Sequence, residues 1–417
     1  MNQKPSLLSE AVSFLKRQQT DWKITVARTS LDRFAYQMVL PYLSLYIVAL
    51  GATATQLGMV NSLGMVFAGI ISLFSGFLID RMAPKKVYLV GIGLLAIAYA
   101  TYVLAQTWVI TFIAMIAYWS GYSVSVQSCA TICGNCLENK DRATGMMLCE
   151  TVGAGLLGMA GPLAGAWLVT MFGGVTVEGI RPLFFIAVAV TVITFIMVLK
   201  WLSARKWGDS GTSGLNIIKG FKEVFNSGRY LKRWQIIAAI GQLPMGMVIP
   251  FTQVFAYEVK GADQYILGVM VTASALTSII FSVPLGRLAD RIGRKRILYA
   301  TIPLFWAANI VLICAPNAGF LILSGVLQGF YYVSGPIGGA MERELVPRGY
   351  MGRWLGIGRF FKMGVSAGFA VIAGIIWDTV GPQYVFLSFV VLDLAIRMPL
   401  LITMPETLNM QFGKKQE

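Results

Sequence analysis

From Phe34 to Met404 the chain returns again and again to uninterrupted apolar stretches of roughly 20 residues, parted by short polar or charged turns. A stretch of that length crosses a hydrocarbon core of about 30 Å when helical, and about twelve of them follow one another here. The runs are continuous rather than alternating, which favours helices over a β-barrel, since a helix satisfies its own backbone polar groups in lipid. Composition agrees: 56% of residues are hydrophobic and only 13% charged, against about a quarter in soluble domains. The expected class is therefore an all-α, polytopic membrane protein.

Net charge is +15, a value that in a soluble chain would raise the question of nucleic acid. Placement argues against that partner, because Lys and Arg gather in the short connections on one side of the expected spans. With those connections assigned to the cytoplasm, only Arg181 and Lys260 of the 34 basic residues fall in external loops, as the positive-inside bias requires. Both termini are then cytoplasmic in a cell membrane. The first 20 residues hold no cleavable apolar core, while Leu7, Leu8, Ala11, Val12 and Leu15 fit one face of a helix lying on the bilayer surface. Cys129, Cys133, Cys136, Cys149 and Cys314 fall within spans or at cytoplasmic ends, so no disulfide framework is implied. With no histidine anywhere, the Cys133-x-x-Cys136 pair reads as packing rather than a metal site, and no metal or other cofactor is expected.

The chain also repeats itself. Gly76-Phe-Leu-Ile-Asp80-Arg81 is followed 210 positions later by Gly286-Arg-Leu-Ala-Asp290-Arg291, which continues to Gly293-Arg294-Lys295-Arg296. Gly51-Ala52 and Gly58 recur at the same interval as Gly261-Ala262 and Gly268, and Arg142-Ala-Thr-Gly145 recurs as Arg353-Trp-Leu-Gly356. Duplication of a six-span unit is the economical reading. The expected division is an N-terminal segment over 1–24, a first bundle over 25–203, a cytoplasmic linker over 204–233, a second bundle over 234–404 and a tail over 405–417. Within the linker, Gly208 to Gly214 is flexible in composition, and Ile217, Ile218, Phe221, Val224 and Phe225 suggest a second surface helix flanked by Lys219, Lys222 and Lys232. Span starts are expected near Thr25, Gln56, Val87, Val109, Thr144 and Pro182, then near Trp234, Tyr265, Ile297, Phe320, Trp354 and Tyr384.

A basic turn of this kind, repeated at half the chain, resembles the loop signature of the major facilitator superfamily of secondary transporters, and the resemblance covers Thr25 to Met404. It implies twelve helices in two pseudo-symmetric bundles, working as a monomer, with a central cavity opened alternately to either side. It also implies a conformational latch at Gly76, Asp80 and Arg81 and at Gly286, Asp290, Arg291, Gly293 and Arg294, holding the bundles together in the outward-open state. The first copy departs from the pattern, with Ala83-Pro84 where the family has glycine. Gly158, Gly161, Pro162 and Gly165 in helix 5 look like the family's antiporter signature, although Ala166 replaces its last glycine. The family's basic residue in helix 4 is absent between Ala117 and Gln127.

Charges inside a membrane cost at least about 2.5–3.5 kcal/mol each, so those within spans are functional candidates unless paired. Asp393 and Arg397 stand four apart on one helical face and read as a self-neutralising pair. Helix 1 carries Thr29, Arg33, Gln37 and Ser44 on one side with Asp32 and Tyr36 beside them, a polar stripe that should face a cavity. Proton coupling needs a carboxylate, and Asp32 and Glu150 are the candidates, with Arg33, Arg359 or Lys362 as the perturbing cations. Asp32 reads equally as a partner to Arg28 or Arg33, and Glu150 as a packing partner to a cation on a neighbouring span. By family analogy helices 1, 4, 7 and 10 face the cavity, which adds Trp119, Tyr122, Gln127, Gln242, Gln253, Gln328, Tyr331 and Tyr332.

Aromatics with scattered amides suit a flat or amphiphilic organic molecule. The leading expectation is proton-coupled export of such compounds, resembling the drug/proton antiporter branch, with the proton gradient as energy source. Because basic residues outnumber acidic ones among the span charges, uptake or exchange of an organic anion is the alternative. A non-transporting receptor or lipid flippase of the same fold also stays open. An enzyme is not expected, for want of a metal or nucleophile constellation.

Overall fold

The computed structural model describes residues 17–137, 153–204, 230–346 and 351–408, and of Gly76, Asp80 and Arg81 it describes the backbone alone. The first half holds α1 (Thr20–Ala49), α2 (Ala54–Arg81), α3 (Pro84–Leu104), α4 (Ile110–Cys136), α5 (Gly153–Met171) and α6 (Val177–Trp201). In the second half α7 runs as Leu231–Gly241, Leu243–Met247 and Ile249–Val254 into a π-helical turn, Phe255–Val259. It is followed by α8 (Gln264–Ile292), α9 (Arg294–Cys314), α10 (Ala318–Leu345) and α11 (Met351–Thr379). Last comes α12, made of Pro382–Leu392, a π-helical turn Asp393–Arg397, and Met398–Ile402. Among the described residues nine of these passages are long and apolar enough by themselves to cross a membrane. The two six-helix bundles make an all-α, twelve-helix membrane protein.

Most helices begin a few residues before the apolar run that marks them, because the capping residues belong to the polar turn. Thr53 and Gln56 close a capping box on α2, Asp263 accepts from the Ile266 N–H at 2.8 Å, and Pro84 and Pro382 occupy first-turn positions where a missing N–H costs nothing. The breaks in α7 fall at Gln242 and Val248, each two residues before a proline, Pro244 and Pro250.

The repeat in sequence is a repeat in structure. Gly51 and Gly261 both take left-handed backbone angles, φ +93° and +67°, reversing the chain from α1 into α2 and from α7 into α8. Lys85 donates to the carbonyls of Leu199 and Leu202 (2.9 and 2.6 Å), closing the end of α6, and Lys295 does the same to Ile402 and Met404 (2.8 and 2.6 Å) at the end of α12. Gly58 and Gly268 mark equivalent helix crossings between the bundles. A side chain on Gly58 would run into the Ala370 carbonyl of α11, and one on Gly268 would stand 2.8 Å from the Pro162 carbonyl of α5.

Those crossings, α2 on α11 and α5 on α8, form the seam between lobes. The face bearing the α2–α3 and α8–α9 turns is here called the basic face, and the opposite one the far face. At the far face Thr55 donates its N–H (2.8 Å) and hydroxyl (2.6 Å) to Asp378, and Tyr42 donates to the Gln264 carbonyl at 2.8 Å. The Gln264 amide in turn donates to Thr170 at 3.0 Å. Toward the basic face there is open space at Gly286, Gly335, Gly338 and Gly339 among the described residues, and Asp290 is 66% exposed, while α2 stays against α11 as far as Gly69 and Ser72. Among the described residues the hydrogen-bonded ties just named all lie at the far face.

Candidate functional site

α1 positions the core of the site. Asp32, Arg33 and Tyr36 line a recess together with Leu95 and Tyr99 of α3 and Tyr118 and Tyr122 of α4. The tyrosines form a graded stack, Tyr36 to Tyr118 at 5.9 Å and Tyr118 to Tyr122 at 6.3 Å, with Tyr99 edge-on to Tyr118 at 6.1 Å. From the other lobe Tyr332 of α10 comes within electrostatic range of Tyr36, Arg33 and Tyr122, and Arg359 of α11 within range of Tyr122. The recess itself is thus lined by the first lobe, and Tyr332 and Arg359 approach it from the second.

The charges differ in how they are held. Arg28, buried beneath the recess, lies 3.5 Å from Asp32 and 5.0 Å from the centre of the Tyr88 ring. Lys362 lies 3.4 Å from Glu342 of α10, whose other oxygen accepts the Trp354 indole N–H at 2.6 Å. Asp393 accepts the Trp306 indole N–H at 2.7 Å and faces Arg397 at 3.5 Å, while the Arg397 guanidinium packs against Gly241 at the first break of α7. Arg33 and Arg359 have no carboxylate within ion-pair distance among the described residues. A half-buried arginine without a partner is costly in a membrane, which makes these two the cations available to a ligand.

The remaining sequence candidates separate by position. Gln37 lies one turn beyond Arg33, its side-chain oxygen buried and unpartnered. Trp119 packs on Gly64 of α2, beside Met65 and Met363, and meets the recess tyrosines Tyr118 and Tyr122 edge-on at 6.0 Å. Gln253 is buried and Gln328 half-buried, each with one amide atom unbonded, the Gln242 carbonyl accepts from Ser366 at 2.6 Å, and Tyr331 packs tilted on Phe305 at 5.1 Å. Gln127 lies a turn past Tyr122, and its carbonyl accepts from Thr131 at 3.0 Å. Glu150 is outside the described residues, as are the two surface helices, Cys149 and Arg142 to Gly145. In α5, Gly158, Gly161 and Gly165 form a groove for α1. A Cβ on Gly161 would stand 2.7 Å from the Phe34 carbonyl, and one on Gly165 2.5 Å from that of Met38.

Asp290 pairs with Arg294 at 3.3 Å rather than with Arg291, and Arg294 also holds Glu344 of α10 at 2.6 Å, all within one lobe. Glu406 accepts the N–H groups of Arg294 and Lys295 at 3.0 and 3.1 Å, capping α9 across Gly293. Tyr99, Tyr118 and Glu342 are absent from the sequence candidates, whereas Arg28 is one of the two partners that sequence offers Asp32. Tyr118 carries a readable signal, standing four before Tyr122 on one helical face.

The description Major Facilitator Superfamily belongs to the family model that matches residues 29–269 and 236–409. Among curated proteins the chain is similar to the multidrug resistance protein MdtG of Rahnella sp., 28% identical over 65% of this chain and 65% of that protein. It is also similar to MdtG of Yersinia enterocolitica, 26% identical over 69% and 70%. The chain thus spans about two thirds of the length of these relatives. Among solved structures, a mutant of the nucleoside transporter NupG superposes with TM-score 0.76 at 17% identity, over 93% of this chain and all of that one. The human organic anion transporter TETRAN superposes with TM-score 0.66 at 16% identity, over 92% and 99%. Likeness at that identity speaks to the fold.

Proposed function

The chain belongs to the Major Facilitator Superfamily, and from that premise we propose that it exports small amphiphilic organic compounds across the cell membrane by alternating access, driven by the proton gradient. The observation carrying this reading is a polar, tyrosine-lined recess in the first lobe, approached by Tyr332 and Arg359 of a second lobe that is tied to the first at the far face. Resemblance to proteins named for multidrug resistance supports efflux as the direction. In this reading the basic face is cytoplasmic, both termini lie there, and the lobes comprise 25–203 and 234–404 joined by 204–233. The protein works as a monomer with no catalytic activity and no resident cofactor.

Asp32 is the proposed proton carrier. It lines the recess at 17% side-chain exposure and is held by Arg28, so a proton arriving at the recess neutralises it and releases Arg28 from its partner. Glu150, the other proposed carrier, stands as a sequence candidate. The test is reconstitution into proteoliposomes with an imposed pH difference, following uphill movement of a fluorescent amphiphile. Movement that depends on the pH difference supports the reading; movement indifferent to it, or none across a chemically broad panel, overturns it.

A further inference from the structure

We propose that the cargo carries an acidic group, held between Arg33 of the first lobe and Arg359 of the second, with its apolar body on the tyrosine stack. The inference rests on the transporter reading and names the substrate class of that same cavity.

Charge pairing carries the argument. Asp32 is held by Arg28, Glu342 by Lys362 and Asp393 by Arg397, at 3.4–3.5 Å. Among the described residues each of these carboxylates is thus matched, and Arg33 and Arg359 have no carboxylate within ion-pair distance. Arg33 lines the recess together with Tyr122, and Arg359 of the other lobe comes close enough to the same tyrosine to interact with it. A guanidinium presents a planar fork of donors that fits the oxygens of a carboxylate, phosphate or sulfonate bidentately. The ring faces of Tyr36, Tyr118 and Tyr122 would by themselves also attract a cation. A cationic cargo, however, would meet two arginines with no ion-pair partner among the described residues, and Asp32, the carboxylate lining the recess, is already engaged by Arg28.

The pairing also gives the acidic group a role in the cycle. Arg33 and Arg359 sit on different lobes, so closing the basic face moves two like charges about the recess as water is expelled from it. An anion between them offsets that repulsion, and an empty cavity does not.

The experiment uses the full chain purified in detergent, titrated calorimetrically with 1-naphthalenesulfonate, the neutral 1-naphthalenesulfonamide and 1-naphthylmethylammonium. The sulfonate is expected to bind at least about tenfold more tightly than either isostere. Arg33→Gln and Arg359→Gln should each reduce its affinity by about tenfold or more while changing the sulfonamide by less than about threefold, with part of the loss restored by Arg359→Lys. Equal or tighter binding of the ammonium, binding of none of the three, or sulfonate affinity indifferent to both arginines overturns the proposal. Should a variant fail to fold, the ranking of the three probes on the unaltered protein decides. Proteoliposome flux separates this inference from its premise. Sulfonate that binds but is never carried refutes the transporter reading and leaves the site standing; carriage of the ammonium or amide without preference for the sulfonate refutes the site and leaves the transporter.

Discussion

Asp32, Glu342 and Asp393 each sit beside a cation, yet the three pairs serve different ends. Asp393 is fully buried and bonded by Trp306, and Glu342 is bonded by Trp354, so both carboxylates are oriented by an indole as well as a charge. Such pairs fix helices against one another, and removing one partner strands the other in low dielectric. Glu342→Gln is therefore expected to destabilise the protein by about 2–4 kcal/mol, seen as a lower midpoint in detergent melts, and Glu342→Gln with Lys362→Met to recover most of it. A double variant as unstable as the single one would show that the pair is not what Glu342 contributes. Asp32 lacks an indole partner and faces the recess. Asp32→Asn is expected to abolish transport driven by a pH difference while leaving cargo affinity within about threefold, since neutral Asn mimics the protonated acid. Uphill transport persisting in that variant would remove Asp32 from the coupling step.

At the scale of helices, small residues govern where elements meet. A Cβ on Gly161 would press on backbone atoms of α1 at Phe34 and Met38, so Gly161→Val should lower stability by about 1–3 kcal/mol through overpacking and displace the polar stripe of α1. A detergent melt of that variant matching the parent protein would mean that α1 and α5 are not packed as described. The helix scale is also where sequence is most readable. Membrane crossings announce themselves as apolar runs, and a repeat of 210 residues places Gly51 with Gly261, Gly58 with Gly268 and Lys85 with Lys295, pairs whose members do the same physical work. Depth and direction are less readable. Glu342 sits in Met341-Glu-Arg-Glu344, which reads as a solvated helix end, although the carboxylate turns inward to Lys362 and Trp354. Trp119 and Tyr122 are close in sequence, yet one rotamer packs on α2 and the other faces the recess, a choice set by Gly64 on another helix. Asp290 likewise finds Arg294 rather than its neighbour Arg291, because residues four apart share a helical face.

For the molecule as a whole, opposite faces must be tied in turn, so ties at the two ends should push the equilibrium in opposite directions. The far-face tie is in place: Asp378 of the second lobe accepts two hydrogen bonds from Thr55 and so caps the start of α2 in the first. Exposed as it is, this contact is worth about 1 kcal/mol, and Asp378→Asn should raise the far-face-open population roughly fivefold. The basic-face turn is in the complementary condition, with Asp290 exposed and, among the described residues, bonded to Arg294 of its own lobe, and with open space around Gly286. If Asp290 engages the first lobe when the basic face closes, then Asp290→Asn removes a contact made only in that state and favours the basic-face-open form. Gly286→Ala should act in the same sense, since its methyl meets nothing in the present arrangement and crowds the seam once the lobes approach. Spin-label distances across each face would report both shifts. Asp378→Asn must lengthen the far-face distance, and Asp290→Asn and Gly286→Ala must lengthen the basic-face one. If all three substitutions moved the distances the same way, the two faces would not be alternating and the rocking of two lobes about a common cavity would fail as a description of this protein.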